Sequence, residues 1–133
     1  MDFITDRTES DALLGNEKGV YSYTDLNRVE TAVKQISDKM ALGLTTKTDW
    51  DLPAIFSTKE WPVESQMKRY LGNVAAIRSY FVISIPIPST MERLTWQGAN
   101  NIERILEKAL ASADGVKQTY RYSGEFYAGE EIL

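Results

Sequence analysis

The chain has 133 residues, 43% of them apolar and 26% charged, with a formal net charge of −4. That is the balance of one ordinary globular domain, long enough to bury a real core. It contains no His and no Cys, which removes the usual neutral-pH acid–base group, thiol nucleophiles, disulfides and the ligands of structural zinc sites.

The charge is unevenly placed. Residues 1–30 hold seven acids against three bases, and residues 120–133 hold three Glu against one Arg, while the middle is near neutral. No Lys/Arg stripe stands out, so the footprint of nucleic-acid binding is missing and no nucleic-acid partner is expected. No run approaches the roughly 20 apolar residues that span a bilayer, and no Lys-rich amphipathic helix suggests a membrane surface. The opening MDFITDRTESD is acidic and lacks an apolar stretch, so it does not read as a signal peptide.

In chain order, residues 5–19 read as a loop with one or two helical turns, capped by Thr8 or Ser10 and stopped at Gly15-Asn16. A long helix follows over about 24–42. Thr24 is its candidate N-cap, and Asp25 sits where the helix dipole favours an acid. Leu26, Val29, Val33, Ile36 and Met40 make its apolar stripe, and Gly43 is a plausible stop. Residues 45–61, TTKTDWDLPAIFSTKEW, are too long for a turn and too apolar for a free linker. They are expected to lie on the body over core surface.

A second helix is predicted over about 62–81, with Pro62 in the first position and Val63, Met67, Tyr70, Leu71, Val74, Ile77 and Phe81 facing the core. VISIPIP, residues 82–88, cannot continue it and reads as an extended connection. Thr95 caps a third helix with Ala99, Ile102, Leu106 and Leu110 on its stripe, ended at Asp114-Gly115. Gly98 in its first turn costs about 1 kcal/mol against Ala, which close helix approach or a frayed first turn would explain. Three amphipathic helices of this length suit a small bundle.

One pattern recurs. Leu26-Asn27-Arg28-Val29-Glu30 and Ala99-Asn100-Asn101-Ile102-Glu103 both read apolar, Asn, polar, apolar, Glu, each near a helix start. Asn and Glu three apart share one helical face. An Asn beside a core stripe must satisfy its amide. Asn27, Glu30, Asn100 and Glu103 are therefore candidates for a polar clasp that fixes helix register. A catalytic or binding Asn/Glu pair is the competing reading, without a nucleophile, metal cluster or phosphate loop to support it. The acid pairs Asp49/Asp51, Glu103/Glu107 and Glu130/Glu131 could in principle serve glycoside hydrolysis. Exposed helix charge explains them more simply. No catalytic residue, cofactor or metal ligand is assigned.

The chain closes on YRYSGEFYAGEEIL, which holds four of its eleven Tyr and Phe residues. Tyr120 and Tyr122 alternate as on one side of a strand, Ser123-Gly124-Glu125 can turn, and Phe126 resumes the run. A strand or marginal hairpin over about 118–133 is expected. An isolated hairpin is barely stable in water, so it either packs on its own bundle or pairs with another chain. Tyr120, Tyr122, Phe126 and Tyr127 are the candidate interface residues.

The succession DRTESD, YTDLNRVETAV, KTDW, RYLGNVAAIR, TMERLTWQGANNIERIL and YSGEFYAGE resembles small proteins and modules from tail gene clusters of phages and prophages of Gram-positive bacteria. The resemblance covers nearly the whole chain, and DLNRVE, ANNIE and YSGE are its most specific parts. The loop 45–61 and VISIPIP depart from the pattern. The resemblance implies a virion structural role in the tail, baseplate or fibre region, with no catalytic residues to carry over. The expected protein is thus a mainly α single domain over residues 1–133, with a helical body at about 20–115. It is expected not to be an enzyme. Its partners would be other tail proteins or itself, as a homo-oligomer. It would be made in the host cytoplasm and located in the virion. The alternatives are a small acidic phage protein that binds and blocks a host protein, and, last, a carboxylate hydrolase acting on cell-wall glycan.

Overall fold

In the computed structural model, residues 2–16, 18–19, 21–50, 64–92 and 94–122 are described, with side chains as far as Gly115. Among the described residues there are four helices and no strand: α1 (Glu9–Leu14), α2 (Tyr23–Met40), α3 (Glu64–Tyr80) and α4 (Trp96–Tyr122). α2, α3 and α4 form a small bundle in which every pair is in contact.

The apolar stripes account for the packing. Val29, Val33 and Ile36 of α2, Tyr70, Val74 and Ile77 of α3, and Ile102, Ile105 and Leu106 of α4 are all buried. Met40, Met67, Phe81 and Leu110 close the edges half-buried. Each fully buried aliphatic side chain contributes about 1.5–3 kcal/mol by leaving water, and no helix could bury its stripe alone. The extended segment after α3 adds Ile83, Ile85 and Ile87 to the flank of this core. That is the connection expected for VISIPIP.

Helix ends differ from expectation in instructive ways. The cap of α2 is Ser22, not Thr24: Asp25 accepts the Ser22 N–H at 2.8 Å, closing a capping box one residue before Tyr23. α2 stops at Met40 because Ala41, at φ 55°, takes the left-handed turn two residues before Gly43. Thr95 does cap α4, accepting the Gly98 N–H at 3.0 Å. Gly98 lies close to the side chains of Pro88 and Leu94, so it admits the preceding connection, not a neighbouring helix. Thr8 caps α1 through a capping box with Asp11, and Gly15 ends α1 at φ 64°.

The largest correction is at α4. It does not end at Asp114-Gly115 but continues to Tyr122. Ala113 is fully buried and Asp114 is paired with Lys39 of α2, so the turn containing Gly115 is tied to the bundle. Extending an existing helix costs far less than starting one, and two alternating tyrosines do not outweigh that. Tyr120 and Tyr122 therefore lie in a helix and the expected strand is absent there. Phe126 and Tyr127, with Pro62 and Val63, lie outside the described residues.

Candidate functional site

The four clasp residues do not bond to one another. Each pair instead grips a loop and a second helix, and the two grips follow the same plan. On α4, Asn100 accepts the Arg7 N–H through Oδ1 and donates Nδ2 to the Arg7 carbonyl, both at 3.0 Å. On α2, Asn27 accepts the Trp50 N–H and donates to the Trp50 carbonyl, both at 2.7 Å. Each amide thus reads the main chain of one loop residue at both its polar groups. That satisfies all four atoms of each grip, Asn100 being buried and Asn27 half-buried.

The glutamates, one helical turn on, repeat the parallel atom by atom. Glu103 Oε1 accepts from Ile4 N at 2.9 Å and from Arg28 Nε at 2.7 Å. Its Oε2 accepts from Arg7 Nη2 and from Arg28 Nη2, both at 2.7 Å. Glu30 Oε1 accepts from Lys47 N at 3.2 Å and Arg69 Nη1 at 2.8 Å. Its Oε2 accepts from Trp50 Nε1 at 2.7 Å and Arg69 Nη2 at 2.8 Å. In each case one oxygen takes a loop N–H three residues before the gripped residue. The other takes that residue's own side chain, and an arginine from another helix of the bundle bridges both. Such forked pairs are the strong kind of charge-assisted bond.

Around Glu103 the cluster is larger. Arg7 also pairs with Asp25 at 3.0 Å, and Asp25 is in contact with Arg28. Arg7, Asp25, Glu30 and Glu103 are all buried. Their charges balance within each cluster, as buried charge requires. Burial works to lower the Arg28 guanidinium pKa, but its bonds to Glu103 and Asp25 outweigh this and raise it. The bidentate bond to Glu30 raises that of Arg69. Among the described residues no buried side-chain nitrogen or oxygen lacks a partner.

Between the clusters the Tyr21 and Tyr70 hydroxyls are hydrogen-bonded to each other, and the Arg7 guanidinium lies 5.6 Å from the centre of the Tyr21 ring. Burial raises the pKa of both phenols. Asn73 on α3 donates to the Thr45 carbonyl at 2.7 Å, as does Arg69 at 3.0 Å. Residues 45–50 are thereby laid along α2 and α3 with Trp50 buried. This is the packed course expected for the start of the 45–61 loop.

Sequence reasoning singled out Asn27, Glu30, Asn100 and Glu103 but missed Arg7, Asp25, Arg28, Trp50 and Arg69. A signal existed in the Thr-Asp doublet before both gripped residues, ITDR at 4–7 and KTDW at 47–50. Of the acid pairs, Glu103 and Glu107 do not assemble, since Glu107 is exposed while Glu103 is buried; Asp49 is exposed and paired with Lys47 at 2.9 Å, and Asp51, Glu130 and Glu131 lie outside the described residues. Among the described residues no three His, Cys, Asp or Glu side chains are grouped to hold a metal ion. Chemically, a carboxylate that already accepts four hydrogen bonds has no lone pair free to take a substrate proton. These groups are equipped to hold chain segments in place. Comparison with protein families, curated proteins and solved structures finds no match to this chain.

Proposed function

We propose that this chain is a structural protein of the tail, baseplate or fibre region of a phage or prophage, located in the virion, acting through contacts with neighbouring tail proteins or copies of itself, and not an enzyme. The observation that carries the reading is the saturation of Glu30 and Glu103, the two acids most suggestive of chemistry, by main-chain and arginine donors. Four of the motif pieces that carry the resemblance to tail-cluster proteins (DRTESD, DLNRVE, KTDW and ANNIE) contribute residues to the two grips; YSGE, also among its most specific parts, lies past Gly115, the last residue with a described side chain. What the resemblance shares is thus a scaffold.

The contact between chains is assigned to Tyr120, Tyr122, Phe126 and Tyr127, since aromatic side chains supply large contact area at low entropic cost. Light scattering after size exclusion tests this on the full chain and on a variant with all four residues changed to Ser. The expected result is an assembly larger than one chain for the first, and a monomer of the same helical content for the second. Equal mass for both removes the aromatic residues from the interface.

A further inference from the structure

The two grips share more than their hydrogen bonds. At one constant spacing, 41 residues, Asp25 of α2 matches Gln66 of α3 and Arg28 matches Arg69. At the same constant spacing Val33 matches Val74 and Ile36 matches Ile77, all buried. The helix ends match as well. Ala41 and Val82 take φ 55° and 54°. Leu42 N–H donates to the Ser37 carbonyl and Ile83 N–H to the Arg78 carbonyl, both at 2.9 Å. Ahead of the helices stand ITDR and KTDW. An upstream loop, a helix with Arg at the matching place and one closing turn recur in order.

We infer that the chain contains a tandem duplication of one loop-and-helix unit, in which the helical residue three places before the arginine determines which side chain the loop inserts beside the receiving glutamate. In the first unit that residue is Asp25, and the loop inserts the cation Arg7, which pairs with it at 3.0 Å. In the second it is the neutral Gln66, and the loop inserts the neutral donor Trp50. Both inserted groups donate to Oε2 of the glutamate at 2.7 Å. The choice follows from charge. Glu103 and Asp25 face two arginines, whereas Glu30 faces Arg69 alone. A second arginine beside Glu30 would leave one buried cation unpaired, which is strongly unfavourable. An acid at position 66 would restore the balance.

The test is a double-mutant cycle on the full chain: Trp50→Arg, Gln66→Asp, and both together, each followed by thermal melting. Trp50→Arg is expected to lower Tm by about 10 °C or more. Gln66→Asp is expected to recover at least half of that loss in the double variant, yet to change the parent chain by no more than about 2 °C. Where Trp50→Arg alone fails to fold, a folded helical double variant is the supporting result. Equal effects of Gln66→Asp in both backgrounds, or failure of the Trp50→Arg chain and the double variant alike to fold, overturn the assignment.

Discussion

Glu103 and Lys34 contrast buried with exposed charge pairing in this molecule. The Arg7–Glu103 pair has side chains 2% and 0% exposed, whereas Lys34–Asp38 has 55% and 69%. Removing one partner of a buried pair strands the other and costs about 3–5 kcal/mol, while an exposed pair contributes about 0–1 kcal/mol. Glu103→Gln keeps the shape and removes the charge, so urea unfolding should show a loss of about 3–5 kcal/mol. Glu30→Gln should cost less, about 1–3 kcal/mol, because the Arg69 side chain is 22% exposed and can turn to water. Lys34→Ala should lie within about 0.5 kcal/mol of the parent. Equal losses for the two glutamates would show that exposure of the partner arginine does not govern the cost. The glutamates were legible in the sequence because they recur with Asn at one helical spacing. Their partners were not, because Arg28 and Ile4 lie 75 and 99 residues from Glu103. Local spacing carries no information about which distant loop an acid will receive.

At the scale of elements, the interiors of α2, α3 and α4 followed from their apolar period, and the ends did so only in part: Thr95 caps α4 as expected, whereas Thr24 does not cap α2 and Gly115 does not end α4. A helix end is decided by weak competing terms, each about 1 kcal/mol: a cap, a glycine, a left-handed residue. A neighbouring buried anchor overrules them. Gly115 shows this. It reads as a stop, yet it sits inside α4 with negative φ and nothing within 4 Å of the place a Cβ would occupy. Gly115→Ala should therefore stabilise the protein by about 0.5–1 kcal/mol, through helix propensity and a less free unfolded chain. A loss of stability would mean that the helix breaks there after all. Val82 gives the opposite case. It is a β-branched residue at φ 54°, 89% exposed, in a conformation that costs an L residue about 1–2 kcal/mol. Val82→Gly removes that strain and little buried surface. Its expected net gain is about 0.5–1 kcal/mol, read as a higher urea midpoint at unchanged slope.

For the whole molecule, the tyrosine pair makes a pH limit that the composition alone would not reveal. Tyr21 stands between α1 and α2 and Tyr70 on α3, and their hydroxyls are bonded to each other. Burial raises both phenol pKa values above the ordinary 10.0. The sign then follows from linkage. Below pH 10 both the folded and the unfolded chain keep these protons, and the pair contributes its full stability. Above pH 10 the unfolded tyrosines ionise while the folded ones hold their protons, so stability falls as pH rises until the folded pair itself titrates. Each tyrosine contributes a slope of about 1.4 kcal/mol per pH unit in that window. Urea midpoints measured from about pH 8 to about pH 11 should be level at first and then drop. The Tyr21→Phe/Tyr70→Phe double variant removes both protons and, by changing both partners, leaves no hydroxyl unpaired. It should show a shallower fall above about pH 10 than the parent. An equally steep fall in the double variant would place the alkaline sensitivity elsewhere and would remove the tyrosine pair as the group that sets the limit.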